Sequence, residues 1–353
     1  VHRWTDLSQV PTGFGPSVVT LGNFDGVHRG HRSVLTRMVA DARAVGAQAV
    51  AVTFSPHPAQ VHHPDTAPPL LTGVDDRLAL LERTGLDAVL LLHYTLDFAR
   101  QTPEEFVSRY LVDALGARTV VVGRDVRFGW GNAGDLTTMT KLGERYGFTV
   151  EVIEDLAAEQ EPSDLRGNTP QDERLRHVAD PLHRRWSSTW VRELLIEGRV
   201  TAAATVLGRP HRVRGVVVHG DARGRELGFP TANLGPEVAG MVPADGVYAG
   251  WLRRLAPPAG GGAVADPADV VLPAAISIGT NPTFDGVTQR IEAYALDRTD
   301  LDLYGEEVAF EFVAHLRPTL RFDSVDELVV QMREDVDRAR DLLADAGGPP
   351  TDW

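Results

Sequence analysis

The run GNFDGVHRGH, Gly22 to His31, places two histidines, His28 and His31, three residues apart where apolar patterning gives way to helical patterning. Residues i and i+3 share a helix face, so both imidazoles can address one ligand beside the exposed amides of a helix N-terminus. Gly22, Gly26 and Gly30 would let the backbone approach that ligand, with Asn23, Phe24 and Asp25 completing the turn. The set suits an anion, a triphosphate above all. Ser187, Ser188, Thr189 and Arg192 make a second oxyanion-binding set, with hydroxyls and amides at one helix start and an arginine one turn later. A third set lies in GDARGRELGFPTANL, Gly220 to Leu234. Arg223, Gly224, Arg225 and Gly228 form a basic, flexible turn able to wrap phosphates, followed by Phe229 and Pro230. Thr231 and Asn233 face one way in an extended chain and offer neutral oxygens to a Mg²⁺ that also holds ATP phosphates.

Singly, these features have ordinary explanations: a capping histidine, a Ser/Thr cap near a surface arginine, a glycine-rich hairpin. Nucleotidyl transfer would give the first two sets a common purpose. Its attacking phosphate is already an anion, so catalysis is positioning plus stabilisation of negative charge. Imidazoles at a helix start can supply that charge stabilisation by hydrogen bonding.

The elements around these sets fall into two textures. Apolar runs predict strands at Ser17–Leu21, Ala49–Phe54, Ala88–Leu92, Thr119–Gly123 and Thr149–Ile153. Helical patterns lie between them at His31–Val45, Asp75–Thr84, Pro103–Leu115 and Leu136–Tyr146. Alternation of this kind predicts an open parallel sheet with helices on both faces, binding its ligand at the carboxyl ends of the strands. In the first helix Val34, Leu35, Met38, Val39, Ala42 and Val45 mark the buried face. Ala157 to Arg185, polar and rich in charge and proline, reads as a mobile surface loop. Ser187 or Ser188 then caps a helix running to about Glu197, followed by Val200–Leu207. From Arg212 onward, short β-rich runs separated by Gly, Pro, Asn and Asp imply an antiparallel sheet or small barrel. Ala256–Asp269 reads as a flexible insertion. A closing helix carries Val325, Leu328, Val329, Met332, Val336, Ala339 and Leu342 on its buried face. The boundaries expected are 1–208 and 209–345.

Composition narrows the classes. The 353 residues hold 35 Lys and Arg against 49 Asp and Glu, a net charge of −14, which argues against nucleic-acid binding. With no cysteine, disulfides, thiolate metal sites and a thiol nucleophile are excluded. No apolar run reaches the roughly 20 residues of a membrane span, and VHRWTDLSQV lacks a signal-peptide core. The expectation is a cytoplasmic protein with no membrane partner; homo-oligomerisation is left open.

His-x-Gly-His followed by Ser-Ser-Thr-x-x-Arg resembles the adenylyltransferase module of prokaryotic bifunctional riboflavin kinase/FAD synthetases. TFSPHP, Thr53 to Pro58, resembles that family's strand-end motif beside the nucleotide and flavin sites, which implies roles for Phe54, Pro56, His57 and Pro58. GRDVRFG, Gly123 to Gly129, resembles its flavin- and ATP-contacting loop, implying Asp125 and Phe128; some family members have asparagine at the Asp125 position. The Gly220–Leu234 run resembles the riboflavin kinase signature, centred on Gly-Phe-Pro-Thr-Ala-Asn. PADGVYAG, IGTNPTF, RIEAYALD and DLYG follow in family order.

The resemblance implies a Rossmann-like nucleotidyltransferase domain and an antiparallel β-barrel kinase domain with a terminal helix. It implies His28, His31, Arg192 and Glu292 as catalytic residues and Asn281, Thr283 and Phe284 as flavin contacts. Glu292 would be the general base, and strand alternation puts it on one face with Arg290 and Tyr294, opposite Ile291 and Ala293. The implied activity is phosphorylation of riboflavin to FMN and adenylylation of FMN to FAD, with ATP as co-substrate and Mg²⁺ at both steps. The alternatives are a lone cytidylyl- or pantetheine-phosphate adenylyltransferase, a single-activity riboflavin kinase with an inactive first domain, and a flavin-binding regulator without turnover.

Overall fold

The computed structural model describes residues 1–153, 185–220, 224, 227–255, 270–283 and 286–349, and only the backbone at 281–283 and 286–288. Arg223, Arg225, Phe284, the insertion at 256–269 and all of the 157–185 loop but Arg185 lie outside the described residues. The chain divides into two compact units. The first holds Val1–Pro69 and the described residues from Val74 to Trp186; the second holds Leu70–Gly73 and those from Ser187 onward.

The first unit is built on a six-stranded sheet in the order β1-β4-β3-β2-β5-β6. Its strands are β1 (His2–Trp4), β2 (Ser17–Leu21), β3 (Gln48–Ser55), β4 (Ala88–His93), β5 (Ala117–Gly123) and β6 (Thr149–Ile153), every pair parallel. Val19, Val50, Val52 and Leu90 pack on one face with Phe106, Leu111 and Met139. Their neighbours Val18, Ala49, Ala51 and Val89 are as deeply buried, so both faces are covered, as a parallel sheet requires. The chain winds from β2 through β3 to β4 on one side and places β5 and β6 on the other. The switch therefore falls beside β2, whose carboxyl end opens into the histidine turn.

Helix α1 (Arg29–Ala44) buries Leu35, Met38, Val39 and Ala42. Val45, expected on that face, is instead the C-cap residue and is 71 % exposed. The helix expected at Pro103–Leu115 starts as α-helix (Pro103–Phe106), fixed by a capping box between Thr102 and Glu105, and then widens to a π-helix over Val107–Ala114. Phe106, Val107, Tyr110 and Leu111 are buried in either geometry, so apolar spacing does not distinguish them.

In the second unit two short helices, Ser188–Ile196 and Val200–Leu207, precede a closed barrel. Its strands are β7 (His211–Val218), β8 (Ala232–Ala239), β9 (Gly246–Arg254), β10 (Val271–Thr283), β11 (Gly286–Ala295) and β12 (Glu307–Arg317). They pair antiparallel in the cyclic order β10-β11-β8-β7-β12-β9. Closure leaves no open edge and packs Tyr248, Phe310 and Phe312 inside. The last helix, Val325–Asp345, buries Val336, Ala339 and Leu343 against Ala249, Trp251, Leu296 and Leu316. Val325, expected on the buried face, is 60 % exposed because the apolar stripe begins before the helix reaches the barrel core. Leu342 is partly buried, and the next residue, Leu343, takes the core position. Among the described residues no helix is long and apolar enough to cross a membrane.

Candidate active sites

In the first unit the chain leaves β2 in a tight curl. Phe24, Gly26 and Val27 all take left-handed backbone angles, with φ of 49°, 79° and 36°. For a β-branched residue such as Val27 that conformation is strained, by roughly 1–3 kcal/mol. Burial holds it: Phe24, Asp25, Val27 and His28 are all 5 % exposed or less. The Gly22 amide donates to Val52 O at 3.1 Å, extending the β2–β3 ladder by one bond. A Cβ at Gly22 would lie 3.1 Å from the Phe24 ring, and one at Gly30 would lie 3.1 Å from the His28 ring. These glycines therefore make room for the turn's own side chains.

His28 is the N-cap of α1, and its Nδ1 accepts from the His31 amide at 3.4 Å. That contact assigns the proton of a neutral His28 ring to Nε2. The two imidazoles stack at 3.8 Å with 22° between planes, and the Phe24 ring abuts His31 edge-on at 5.3 Å. His31 Nδ1 is buried without a hydrogen-bond partner in the described structure. Burial, then the neighbouring His28 and Arg185 charges, hold the His31 pKa well below its ordinary value, so the ring is neutral at pH 7. A neutral imidazole with an unmet nitrogen beside helix amides can hydrogen-bond a phosphate oxygen.

The other residues expected for this reaction are distributed unevenly, and Ser187 to Arg192 belong to the second unit. Phe54, at the end of β3, is partly exposed and packs against Tyr94 and Phe98. His57 caps the short helix Pro58–His62 in a capping box with Gln60, its Nδ1 accepting from the Ala59 amide at 3.1 Å. Asp125 is an exposed carboxylate 3.0 Å from Arg185. Phe128 is only 6 % exposed and packs into the core beside Phe106, so its ring holds the loop down and offers little face to a ligand. Ser187 caps the helix Ser188–Ile196 through its Oγ, which accepts from the Trp190 amide at 3.2 Å. Ser188, Thr189 and Arg192 lie in the first turns of that helix.

Sequence reasoning missed Arg77, from the helix Val74–Glu82. It is 2 % exposed and donates to Asn23 O at 2.9 Å and to Phe54 O at 2.7 Å. The available signal was a cation placed directly before the apolar run Leu78 to Leu81.

In the barrel unit, strand pairing brings distant residues together. Glu292 on β11 lies opposite Asn233 on β8. Asn233 Nδ2 donates to Thr231 Oγ1 at 3.2 Å, and the Thr231 hydroxyl donates to Glu292 at 3.3 Å. A Cβ at Gly220 would come within 2.7 Å of the Asn233 side chain, so that position has to be bare. Gly228 turns with φ 86°, and the Phe229 ring meets Tyr294 edge-on at 5.3 Å. Pro230, Thr231, Ala232, Ala293 and Ala295 line a small cleft, with Tyr304 at its wall. Tyr304 also stacks on His219 at 3.8 Å, and neither was expected in the site. Asn281 and Thr283 end β10, in register with Thr288 and Gly286 of β11. As expected, Ile291 and Ala293 face the core while Glu292 and Tyr294 are partly exposed.

Thr231 and Asn233 next to one carboxylate form a hard-oxygen donor set that fits Mg²⁺ better than a softer metal. Among the described residues no group of three or more His, Cys, Asp or Glu could hold a metal, so the remaining oxygens would come from phosphates and water.

Residues 12–163 match the FAD synthetase family and residues 207–343 match the riboflavin kinase family. The bifunctional riboflavin kinase/FMN adenylyltransferase of Escherichia coli K12 is 34 % identical over 96 % of each chain. The protein of that name from Listeria monocytogenes is 31 % identical, covering 97 % of this chain and 95 % of its own. A solved structure from Streptococcus pneumoniae, described as a macrolide-efflux protein, superposes with a TM-score of 0.74 at 29 % identity, covering 96 % of this chain and 98 % of its own. With near-complete coverage at that identity and both family models in order, the chain belongs to the bifunctional riboflavin kinase/FMN adenylyltransferase family.

Proposed function

We propose that this chain makes FAD from riboflavin in two ATP-dependent steps, one in each unit. The observation that carries the reading is that one unit stacks His28 on His31 at a helix start and the other gathers Thr231, Asn233 and Glu292, two side-chain groups whose chemistry suits phosphates and Mg²⁺.

In the barrel, Glu292 takes the proton from the 5′-hydroxyl of riboflavin as that oxygen attacks the γ-phosphorus of ATP. The O–P bond forms, the bond to the β-phosphate oxygen breaks, and FMN and ADP result. Thr231 and Asn233 would hold Mg²⁺, which when bound neutralises phosphate charge. Gly220, Gly224 and Gly228, with Phe229 and Pro230, form the turn that approaches ATP, together with Arg223 and Arg225. Asn281, Thr283 and Phe284 contact the flavin.

In the first unit, a phosphate oxygen of FMN attacks the α-phosphorus of a second ATP and pyrophosphate leaves. His28, donating from Nε2, and His31 stabilise the charge on the phosphates. Gly22, Asn23, Phe24, Asp25 and Gly30 shape the turn that receives ATP. Ser187, Ser188, Thr189 and Arg192, at the start of the second unit, are assigned to the second phosphate-binding set of this reaction. Phe54, Pro56, His57, Pro58, Asp125 and Phe128 form or support the flavin side.

The test is the purified chain with riboflavin, ATP and Mg²⁺, its flavins separated by chromatography. FMN appears first and FAD follows. Accumulation of FMN without FAD would identify a single-activity kinase, and flavin bound without product would identify a regulator.

A further inference from the structure

Beneath the histidine turn sits a buried cation that neither reaction uses directly. The β2–β3 ladder ends at the pair Leu21 and Val52, with one more bond from the Gly22 amide. Beyond it lie Asn23, which opens the turn assigned to ATP, and Phe54, at the strand end assigned to the flavin. No backbone pairing between β2 and β3 sets their separation there. The Arg77 guanidinium spans that gap, donating from Nη1 to Asn23 O at 2.9 Å and from Nη2 to Phe54 O at 2.7 Å. Thr53 Oγ1 adds a bond to Asn23 O at 3.2 Å.

A guanidinium is a rigid planar fork, so its two donors fix a distance that one flexible ammonium cannot. Burying it carries a desolvation cost of several kcal/mol, and an apolar side chain would fill the space without that cost. Burial draws the Arg77 pKa down, and Asp25, itself 3 % exposed, opposes the shift. Its Nε is buried without a hydrogen-bond partner in the described structure, and its Nη donors go to these two carbonyls.

We propose that Arg77 is a positioning residue for adenylyl transfer, setting the spacing between the ATP turn and the flavin strand end so that the FMN phosphate lies in line with the α-phosphorus. The inference rests on the assignment of Gly22–His31 to ATP and Thr53–Pro58 to the flavin. Arg77 touches neither substrate and acts through two main-chain carbonyls. Misplacement of about 1 Å lowers a rate by about 10²-fold, so the loss should fall on the rate of the chemical step.

The experiment compares the full-length chain with Arg77→Lys and Arg77→Met. The single-turnover rate constant for FMN to FAD is measured with enzyme in saturating excess, a quantity that an inactive fraction of protein does not change. Arg77→Lys should lower it about 30-fold, within that positional range, with the enzyme concentration needed for saturation changed less than about threefold. Arg77→Met should fall at least as far, and riboflavin phosphorylation by both variants should match the parent. A rate constant within twofold of the parent in Arg77→Lys would overturn the proposal. So would a loss recovered in full at higher enzyme concentration, which would mark a binding defect. A parent chain that makes FMN but no FAD would overturn the underlying assignment along with it.

Discussion

His28 does two jobs with one ring. Nδ1 closes the first turn of α1, where a serine or aspartate would ordinarily serve, and this fixes the proton on Nε2. An alanine there removes both the cap and the donor. His28→Ala should lower FAD formation from FMN by at least about 10²-fold, the scale on which a lost charge-stabilising donor is felt. Formation of FMN from riboflavin should be unchanged. Glu292→Gln should do the reverse, lowering FMN formation by about 10²–10⁴-fold, the scale of a lost general base, while supplied FMN is still converted to FAD. Chromatography of the flavins reads both. Loss of both activities from either single substitution, in folded protein, would refute the separation of sites. These residues were legible because their types and spacing are rare in combination. Arg77 and Phe128 were not, because what decides their roles is burial: a cation turned inward, and a ring turned away from the loop's surface.

At the scale of elements, long apolar runs were read to within one or two residues. β6 at Thr149–Ile153 and the helices Leu136–Tyr146 and Val200–Leu207 end where their patterns end. β1, only three residues of mixed polarity, has no periodicity to read. β8 carries Gly235 and Pro236 and was read only at its start, yet it brings Asn233 to Glu292. That strand makes Gly220→Ala informative. The added methyl would sit 2.7 Å from the Asn233 side chain and push it off its partners. FMN formation should fall about 10-fold or more for a displaced ligand, with FAD formation from supplied FMN unaffected. β7 carries a pH dependence of its own. His211 is 1 % exposed, with Nε2 2.6 Å from Met241 O, and burial lowers its pKa to about 4. The unfolded chain takes up this proton near pH 6.5 and the folded barrel only near pH 4, so the stability is full above 6.5 and is lost as pH falls between them. The loss is about 3 kcal/mol. Denaturant unfolding at pH 7 and pH 4.5 should show a smaller decline in His211→Gln than in the parent chain; equal declines would refute the assignment.

For the whole molecule, His28 and Glu292 lie in different units, so the two reactions should be separable in solution. A mixture of His28→Ala and Glu292→Gln chains, given riboflavin, ATP and Mg²⁺, should form FAD after a lag in which FMN accumulates. Each variant alone should not. A mixture that makes FMN and never FAD would show that FMN cannot pass between chains. Local patterning was sufficient to anticipate an α/β unit followed by an antiparallel sheet or small barrel, because periodicities of about 3.6 and 2 residues and the punctuation between them are local properties; the family resemblance narrowed the second to a barrel. Local patterning likewise determined which residues are proposed to handle phosphates, since functional-group chemistry belongs to residue type. Only the tertiary structure decided which residues meet. Closure of the barrel sets Glu292 opposite Asn233, the left-handed curl after β2 stacks His28 on His31, and Arg77 spans the gap where the β2–β3 ladder ends. The first and third of those contacts join segments far apart in sequence through strand register or burial, which no local pattern encodes, and burial holds the curl between them.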